Sequence, residues 1–221
     1  MLDRVLTALR SHPRVGSIRV SIDQPELIDD REATVVQAAA SPSQSVLEAL
    51  ESRPEATRRR PVLLTTADHA LLDRPVLDAF LSASDATDAD ITVGLVAEQT
   101  LQAAYPDSQR TYLRFRGGSF SGANLFALRT PAAREAVLFW RQVERQRKRP
   151  WQLVAAFGLP TLALFALRRL TLADGFARAS KLLGIRAQPV TLPFARAAID
   201  VDKPADLALV ERILAETGSG P

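Results

Sequence analysis

The sequence predicts a doubly wound α/β fold, and three observations carry that expectation. Apolar positions at helical spacing alternate along the chain with short β-type runs. Pro61-Val62-Leu63-Leu64-Thr65-Thr66 is an unbroken apolar run, the mark of a strand buried on both faces of a parallel sheet. The 221 residues are 47% hydrophobic and 24% charged with no long polar tract, which excludes disorder, collagen and coiled coil. Residues 1–221 fit one domain, whose folding buries roughly 70% of the unfolded surface. In such a fold, ligands collect at the carboxyl ends of the strands.

Leu2, Val5, Leu6 and Leu9 stand at helical spacing over residues 2–10, and His12-Pro13 and Gly16 end that helix. Ile18 to Ile22 alternates as a strand, and Thr34 to Gln37 is a second. Ser41-Pro42-Ser43 caps a helix marked by Val46, Leu47 and Leu50, which ends before Pro54. The 61–66 strand delivers Ala67-Asp68-His69 to its carboxyl end. A helix through Val76, Leu77 and Phe80 and a strand over Ile91 to Val96 continue the alternation.

Tyr112 to Arg116, the turn Gly117-Gly118 and Phe120 to Leu128 read as a hairpin. Pro131 opens a helical stretch reaching about Gly184, broken at Pro150, at Gly158 to Pro160 and near Thr171. Strands are expected again at Ile185 to Leu192 and Ala197 to Val201. The last helix runs from Pro204 to about Glu216, ahead of a frayed tail at Gly218 to Pro221.

Composition narrows the chemistry. With no cysteine there is no disulfide, thiolate metal site or cysteine nucleophile, and His12 and His69 alone exclude a His-rich zinc site. The 28 basic groups against 25 acidic ones leave a net charge of only +3, so no nucleic-acid partner is implied. The amino terminus, MLDRVLTALR, carries charges and lacks the apolar core of a secretory signal; the expected compartment is the cytoplasm. Trp151 to Leu167 is the most apolar stretch, but Gly158 and Pro160 interrupt it and it falls short of the roughly 20 residues that span a bilayer. Two readings stand for it: short helices packed on the sheet or a partner, or, with the flanking arginines of 145–169, docking on an anionic membrane surface. The helical region also offers a surface for a homodimer.

Asp68 sits just past the 61–66 strand, anionic and rigidly presented, where it can hold a hard cation or simply form a turn or helix cap. Asp200 and Asp202, in Ile199-Asp200-Val201-Asp202-Lys203-Pro204, fall on one side of an expected strand, and Asp202 is also placed to cap the helix after it. If Asp68 and Asp202 converge, they make a two-carboxylate site suited to Mg²⁺, completed by substrate phosphates, which points to phosphoryl or nucleotidyl transfer.

PVLLTTADHALL, then SGANLFAL, then AAIDVDKPADLALVERIL together resemble the MobA-like nucleotidyltransferases, in order over nearly the whole chain. The resemblance implies a GT-A-like (Rossmann-like) three-layer sandwich with a mostly parallel mixed sheet and a helical insertion at about 131–184. It implies a Mg²⁺-dependent transfer of an NMP from an NTP, CTP or GTP, to a phosphorylated acceptor with release of pyrophosphate. Asp68 and Asp202 would be catalytic and would bind the metal, with Asp200 as second choice. Ser41, Ser43 and Ser45 would approach the nucleotide; Gly122 and Asn124 would line the acceptor side. Arg114, Arg116 and Lys181 are candidates for acceptor phosphate.

The family pattern opens with a strand and a glycine-rich loop of the type L-A-A-G-x-G-x-R-M-G, then a lysine, which cradle the nucleotide phosphates. This sequence shows neither, and Met1 to Leu6 looks like the helix that follows them in relatives. Two explanations compete: a chain starting inside a longer protein, preferred because losing a sheet-centre strand would leave unpaired edges, or a shortened paralogue that has lost catalysis; in either case activity of the chain as given is in question. A glycosyltransferase on the same sheet is the alternative enzyme, disfavoured because Ala67-Asp68-His69 lacks the second acid of a D-x-D element. A non-catalytic nucleotide-sensing or interaction domain is the alternative outside enzymes.

Overall fold

The computed structural model describes residues 1–30, 32–146 and 158–218. The expected break at Pro150, residues 147–157 of the basic-apolar stretch and the tail 219–221 lie outside them. Local chemistry sets most element boundaries. Helix α1 (Leu2–Arg10) buries Val5, Leu6, Ala8 and Leu9, and strand β1 (Ile18–Ile22) pairs in parallel with β2 (Ala33–Gln37). Helix α2 (Pro42–Glu51) begins at Ser41, whose Oγ accepts the Gln44 N–H, with Pro42 in the first turn. Asp73 does the same for α3 (Arg74–Asp85), accepting the Val76 N–H.

Strand β3 (Val62–Thr65) precedes α3; β4 (Ile91–Ala97) and the short α4 (Glu98–Ala104) follow it. The expected hairpin is β5 (Leu113–Phe115) and β6 (Gly118–Leu128), turning at Gly117 with φ +95°, a left-handed conformation that suits glycine. Helices α5 (Arg134–Gln146), α6 (Leu159–Ala166) and α7 (Leu172–Leu183) lie in the expected helical region. Thr171 and Asp174 form a reciprocal capping box at the start of α7, and Gly184, at φ +66°, ends it. Strand β7 (Ala187–Leu192) and helix α8 (Pro204–Gly218) complete the chain.

The main sheet runs β3-β6-β4-β7 with β5 on β6, while β1 and β2 form a separate pair. β4 and β7 are parallel and β3 and β4 both oppose β6, so β3, β4 and β7 share one direction and β6 reverses it. This is the mixed α/β sheet expected, although its pairings are not mostly parallel: β6 opposes β3, β4 and β5, and β4 with β7 is the parallel pair. Two cores flank it. On one face α1, α3, α4 and α8 bury Leu9, Phe80, Leu101 and Val210 against Leu125 and Val190. On the other, α2 and α5 bury Leu47 and Val137 against Ile91 and Leu128, with Phe176 of α7 packed alongside.

Two local expectations need correction. The 61–66 run is not a strand fully buried among parallel neighbours: β3 lies at the sheet edge, pairs antiparallel with β6, and all four of its residues are half-buried. Its unbroken apolarity answers to the two cores, Leu63 packing on one and Val62 and Leu64 on the other. Ala197 to Val201 is not a strand. A 3-10 turn occupies Ala195–Ala198, and extended chain without sheet pairing carries Ile199 to Val201. Its small buried alanines let this segment lie across the end of the sheet, where the Val201 N–H donates to the Asp68 carbonyl at 3.3 Å.

Candidate active site

Asp68 lies in the turn after β3, held by the Ala70 N–H bond to its carbonyl at 2.9 Å, and that same carbonyl receives Val201. One backbone bond thus fastens the 199–202 segment to the residue after β3. Ile199 is fully buried and pins the segment to the core. The consequence is a cluster in which one carboxylate oxygen from each of Asp68, Asp200 and Asp202 lies within 4.8 Å of the others.

The members of this cluster differ in their surroundings. Asp68 is half-buried and its Oδ1 is buried without a hydrogen-bond partner. Asp200 is engaged on both oxygens: the Asn124 amide donates to Oδ2 at 2.6 Å, and the Arg110 guanidinium donates to Oδ1 and, at 3.3 Å, to the Asp200 carbonyl. Asp202 is exposed, and its carboxylate makes no hydrogen bond or ion pair among the described residues. The helix start after it is served instead by Asp206, whose Oδ2 accepts the Asp202 and Lys203 N–H groups at 3.2 and 2.9 Å. Asp202 is therefore left free of the capping duty that its position suggested. Asn124 reaches Asp200 from a left-handed backbone at φ +48°, unusual for a side-chain-bearing residue.

A cavity of about 350 Å³ opens beside the cluster, lined by Arg110, Ser121, Gly122, Asn124, Asp202 and Lys203 among others. A Cβ on Gly122 would meet nothing within 4 Å, so that position borders open space. Below the cluster lies His69, nearly fully buried, with Nδ1 at 3.4 Å from the Thr65 hydroxyl. Burial lowers its pKa to about 4 against the opposing pull of Asp68 and Asp73, so the ring is neutral near pH 7.

The other residues singled out from the sequence lie elsewhere. Ser41 caps α2, Ser43 is buried and bonded to Glu144 of α5, and Ser45 accepts the Ala39 N–H at 2.9 Å; none lines the cavity. Arg114 and Arg116 stand exposed on and beside β5, Lys181 is exposed on α7, and none of the three lines the cavity. Sequence reasoning missed Arg110, which enters from an irregular loop after α4 and has a side chain only 10% exposed. No motif marks it; an arginine in a polar loop carries no signal until its partner is known.

The donor set fits a hard divalent cation. Three carboxylates compensated by a single nearby guanidinium, one of them presenting a buried oxygen with no protein partner, leave anionic oxygen that Mg²⁺ would satisfy. Asp68 and Asp202 are the members with uncommitted oxygens, and Asp200 is the one that the protein itself holds in place.

Residues 1–183 match the MobA-like NTP transferase domain family. A solved structure described as a hypothetical transferase from Thermus thermophilus is 29% identical, with a TM-score of 0.80 over 94% of this chain and 85% of that one. The 2-C-methyl-D-erythritol 4-phosphate cytidylyltransferase of Francisella tularensis shares the fold at 14% identity and a TM-score of 0.61, covering 96% of this chain and 86% of its own. So does a CMP:2-keto-3-deoxy-manno-octonic acid synthetase complexed with CTP, at 15% identity and 0.56, covering 98% and 88%. Comparison with curated proteins gives no match.

Proposed function

Because the chain belongs to the MobA-like NTP transferase domain family and is a nucleotidyltransferase, we propose that its reaction is Mg²⁺-dependent and uses Asp68 and Asp202. In this reading an oxygen of a phosphorylated acceptor attacks the α-phosphorus of an NTP. The bond from that phosphorus to the bridging oxygen breaks, and pyrophosphate leaves. CTP and GTP are the donors to try first, CTP because fold neighbours include a cytidylyltransferase and a CTP-bound synthetase. The observation that carries the proposal is the convergence of the three carboxylates within 4.8 Å, one from the turn after β3 and two from the segment after the Ala195–Ala198 turn.

Each residue then has a task. Asp68 and Asp202 hold the ion, which when bound supplies neutralisation of charge on the α-phosphate oxygens. Asp200, clasped by Arg110 and Asn124, fixes the shape of the acidic cluster. Lys203, exposed at the cavity wall, offers an ammonium to substrate phosphate, and Gly122 leaves room for the acceptor beside it. An ionised acceptor phosphate needs no base, which agrees with a neutral, buried His69. Arg110 and Lys203, rather than Arg114 and Lys181, supply the positive charge that faces this cavity.

The test is pyrophosphate release across a panel of NTPs and phosphorylated acceptors with Mg²⁺, run on the chain with a glycine-rich segment restored ahead of Met1, together with Mn²⁺ titration of the protein alone. Asp68→Asn and Asp202→Asn should each abolish release and weaken Mn²⁺ binding while the melting transition is retained. Full turnover in both variants would refute the metal assignment.

A further inference from the structure

Helix α6 is apolar except for Thr161, yet none of its residues is buried. Its inward side is half-covered. Phe165 meets the ring of Phe115 edge-on at 5.4 Å, and the Thr161 hydroxyl accepts a bond from Arg178 of α7 at 2.9 Å. Its outward side carries Leu159, Ala163, Ala166 and Leu167, at helical spacing i, i+4, i+7 and i+8, and all four are exposed. Leu159 and Leu167 are 73% and 66% exposed, where a surface helix ordinarily presents charge.

The rim of this stripe is basic. Arg168 turns the chain at φ +54°, followed by Arg169; Arg178 and Lys181 stand exposed on α7. None of these four makes an ion pair with a described residue. Arg116 joins them from the hairpin, its N–H bonded to the Leu170 carbonyl at 2.8 Å. The hairpin tip, α6 and α7 form one packed unit, because Phe115 also lies against Gly175, where an added Cβ would come within 3.0 Å of the ring. From Gly158 to Leu183 the sequence holds four basic residues and one acid, Asp174, which is committed to capping α7. The segment is therefore net basic by three charges.

We propose that this face docks on the surface of an anionic lipid bilayer. Leu159 and Leu167 enter the headgroup boundary and Arg168, Arg169, Arg178 and Lys181 meet lipid phosphates. The contact is superficial, since no helix among the described residues is long and apolar enough to cross a membrane. A second copy is a poorer occupant: a twofold contact would set this basic rim against itself. Nucleic acid would use the arginines but gain nothing from the leucine stripe. None of these six residues lines the cavity beside the carboxylate cluster, and the proposal does not depend on the cluster's assignment.

Co-sedimentation with vesicles decides the matter, using the full chain with phosphatidylcholine alone and with phosphatidylcholine containing phosphatidylglycerol. The expected result is pelleting with the anionic vesicles only, declining as salt is raised. Arg168→Glu with Arg169→Glu should cut the pelleted fraction about tenfold. Leu159→Asp should reduce it severalfold with an unchanged melting temperature, and Leu167→Asp serves if the first variant melts early. No pelleting, equal pelleting with both vesicles, insensitivity to all of these variants, or a solution dimer dissolved by Leu159→Asp would overturn the proposal.

Discussion

Asn124 donates its side-chain amide to Oδ2 of Asp200 at 2.6 Å, joining residues 76 positions apart in the chain. The donor stands in the middle of β6 on a backbone at φ +48°, so a left-handed conformation is held where it aims the amide at the acidic cluster. Asn124→Gly keeps access to that backbone and removes only the amide. It should weaken Mn²⁺ binding about tenfold with little change in melting temperature. Asn124→Ala should add a loss of stability. Calorimetric titration beside thermal melts separates the two, and equal Mn²⁺ affinity in Asn124→Gly would deny Asn124 a positioning role.

Arg110 is the counter-charge of Asp200 and lies near Asp206, its Nη1 3.9 Å from that carboxylate. Arg110→Ala leaves a partly buried carboxylate cluster uncompensated and should cost about 1–3 kcal/mol. Mg²⁺ should recover part of that loss, so the ion should raise the melting temperature more in the variant than in the parent. Melts with and without Mg²⁺ read this directly. An equal shift in both proteins would show that guanidinium and metal do not share the cluster.

Asp68→Asn and Asp202→Asn test the two carboxylates with uncommitted oxygens, and each should lower pyrophosphate release by about 100-fold or more. Asp206→Asn should act differently. It weakens the acceptor for the Asp202 and Lys203 N–H groups and should cost about 1 kcal/mol of stability, with a smaller effect on rate. A steady-state comparison of the three variants, each beside its melting curve, distinguishes ligand from helix cap.

Asp90 joins the start of β4 to the start of β7 and the end of β6. It accepts the Arg186 N–H at 2.8 Å, the Arg186 guanidinium at 3.2 Å and the Thr130 hydroxyl at 2.8 Å. Arg186 foremost, against burial, pulls its pKa from 3.8 to about 2. The folded-state pKa is the lower, so this stabilisation is complete above the unfolded value and is lost as the pH falls through about 2. Because Arg186 is largely exposed, the contribution is about 1–2 kcal/mol at neutral pH. Asp90→Asn should therefore lower stability at pH 7 and converge with the parent in acid, as denaturant titrations at a series of pH values would show.

Gly94 sits where β4 shifts register against β6, between Val93 and Leu95. A Cβ there would come within 3.1 Å of the Leu125 side chain and 3.3 Å of Ala123 and the Leu125 carbonyl. Gly94→Ala should destabilise the sheet by about 1–3 kcal/mol, read by chemical denaturation. It should also disturb Asn124, whose chain neighbours on both sides are the residues displaced.

Local pattern was enough for most of the elements. Apolar spacing marked α1, α2 and α3, Pro204 marked the start of α8, Ser41 the cap of α2 and Gly117 the β5–β6 turn, because these signals act within a few residues and need no partner. Asp68, just past β3, and the closely spaced acids Asp200 and Asp202 ahead of Pro204 were also legible, since both signals are written in a few consecutive positions.

The pairings were not. Whether the apolar β3 run lies at the centre or the edge of a sheet depends on which strand stands beside it, and antiparallel β6 comes from sixty residues away in the chain by approximate count. Ala197 to Val201 has strand composition but spends its hydrogen bonds on a 3-10 turn and on Asp68. Arg110 gains its meaning only when that detour brings Asp200 to it, and the serines 41, 43 and 45 are spent on α2 and its neighbours. Sequence alone determined most of the helical segments, the short α4 excepted, and where carboxylates gather and what class of chemistry they suit, because propensity and charge are local. Tertiary structure decided which carboxylates are left free to hold an ion, because that depends on long-range donors competing for the same oxygen lone pairs.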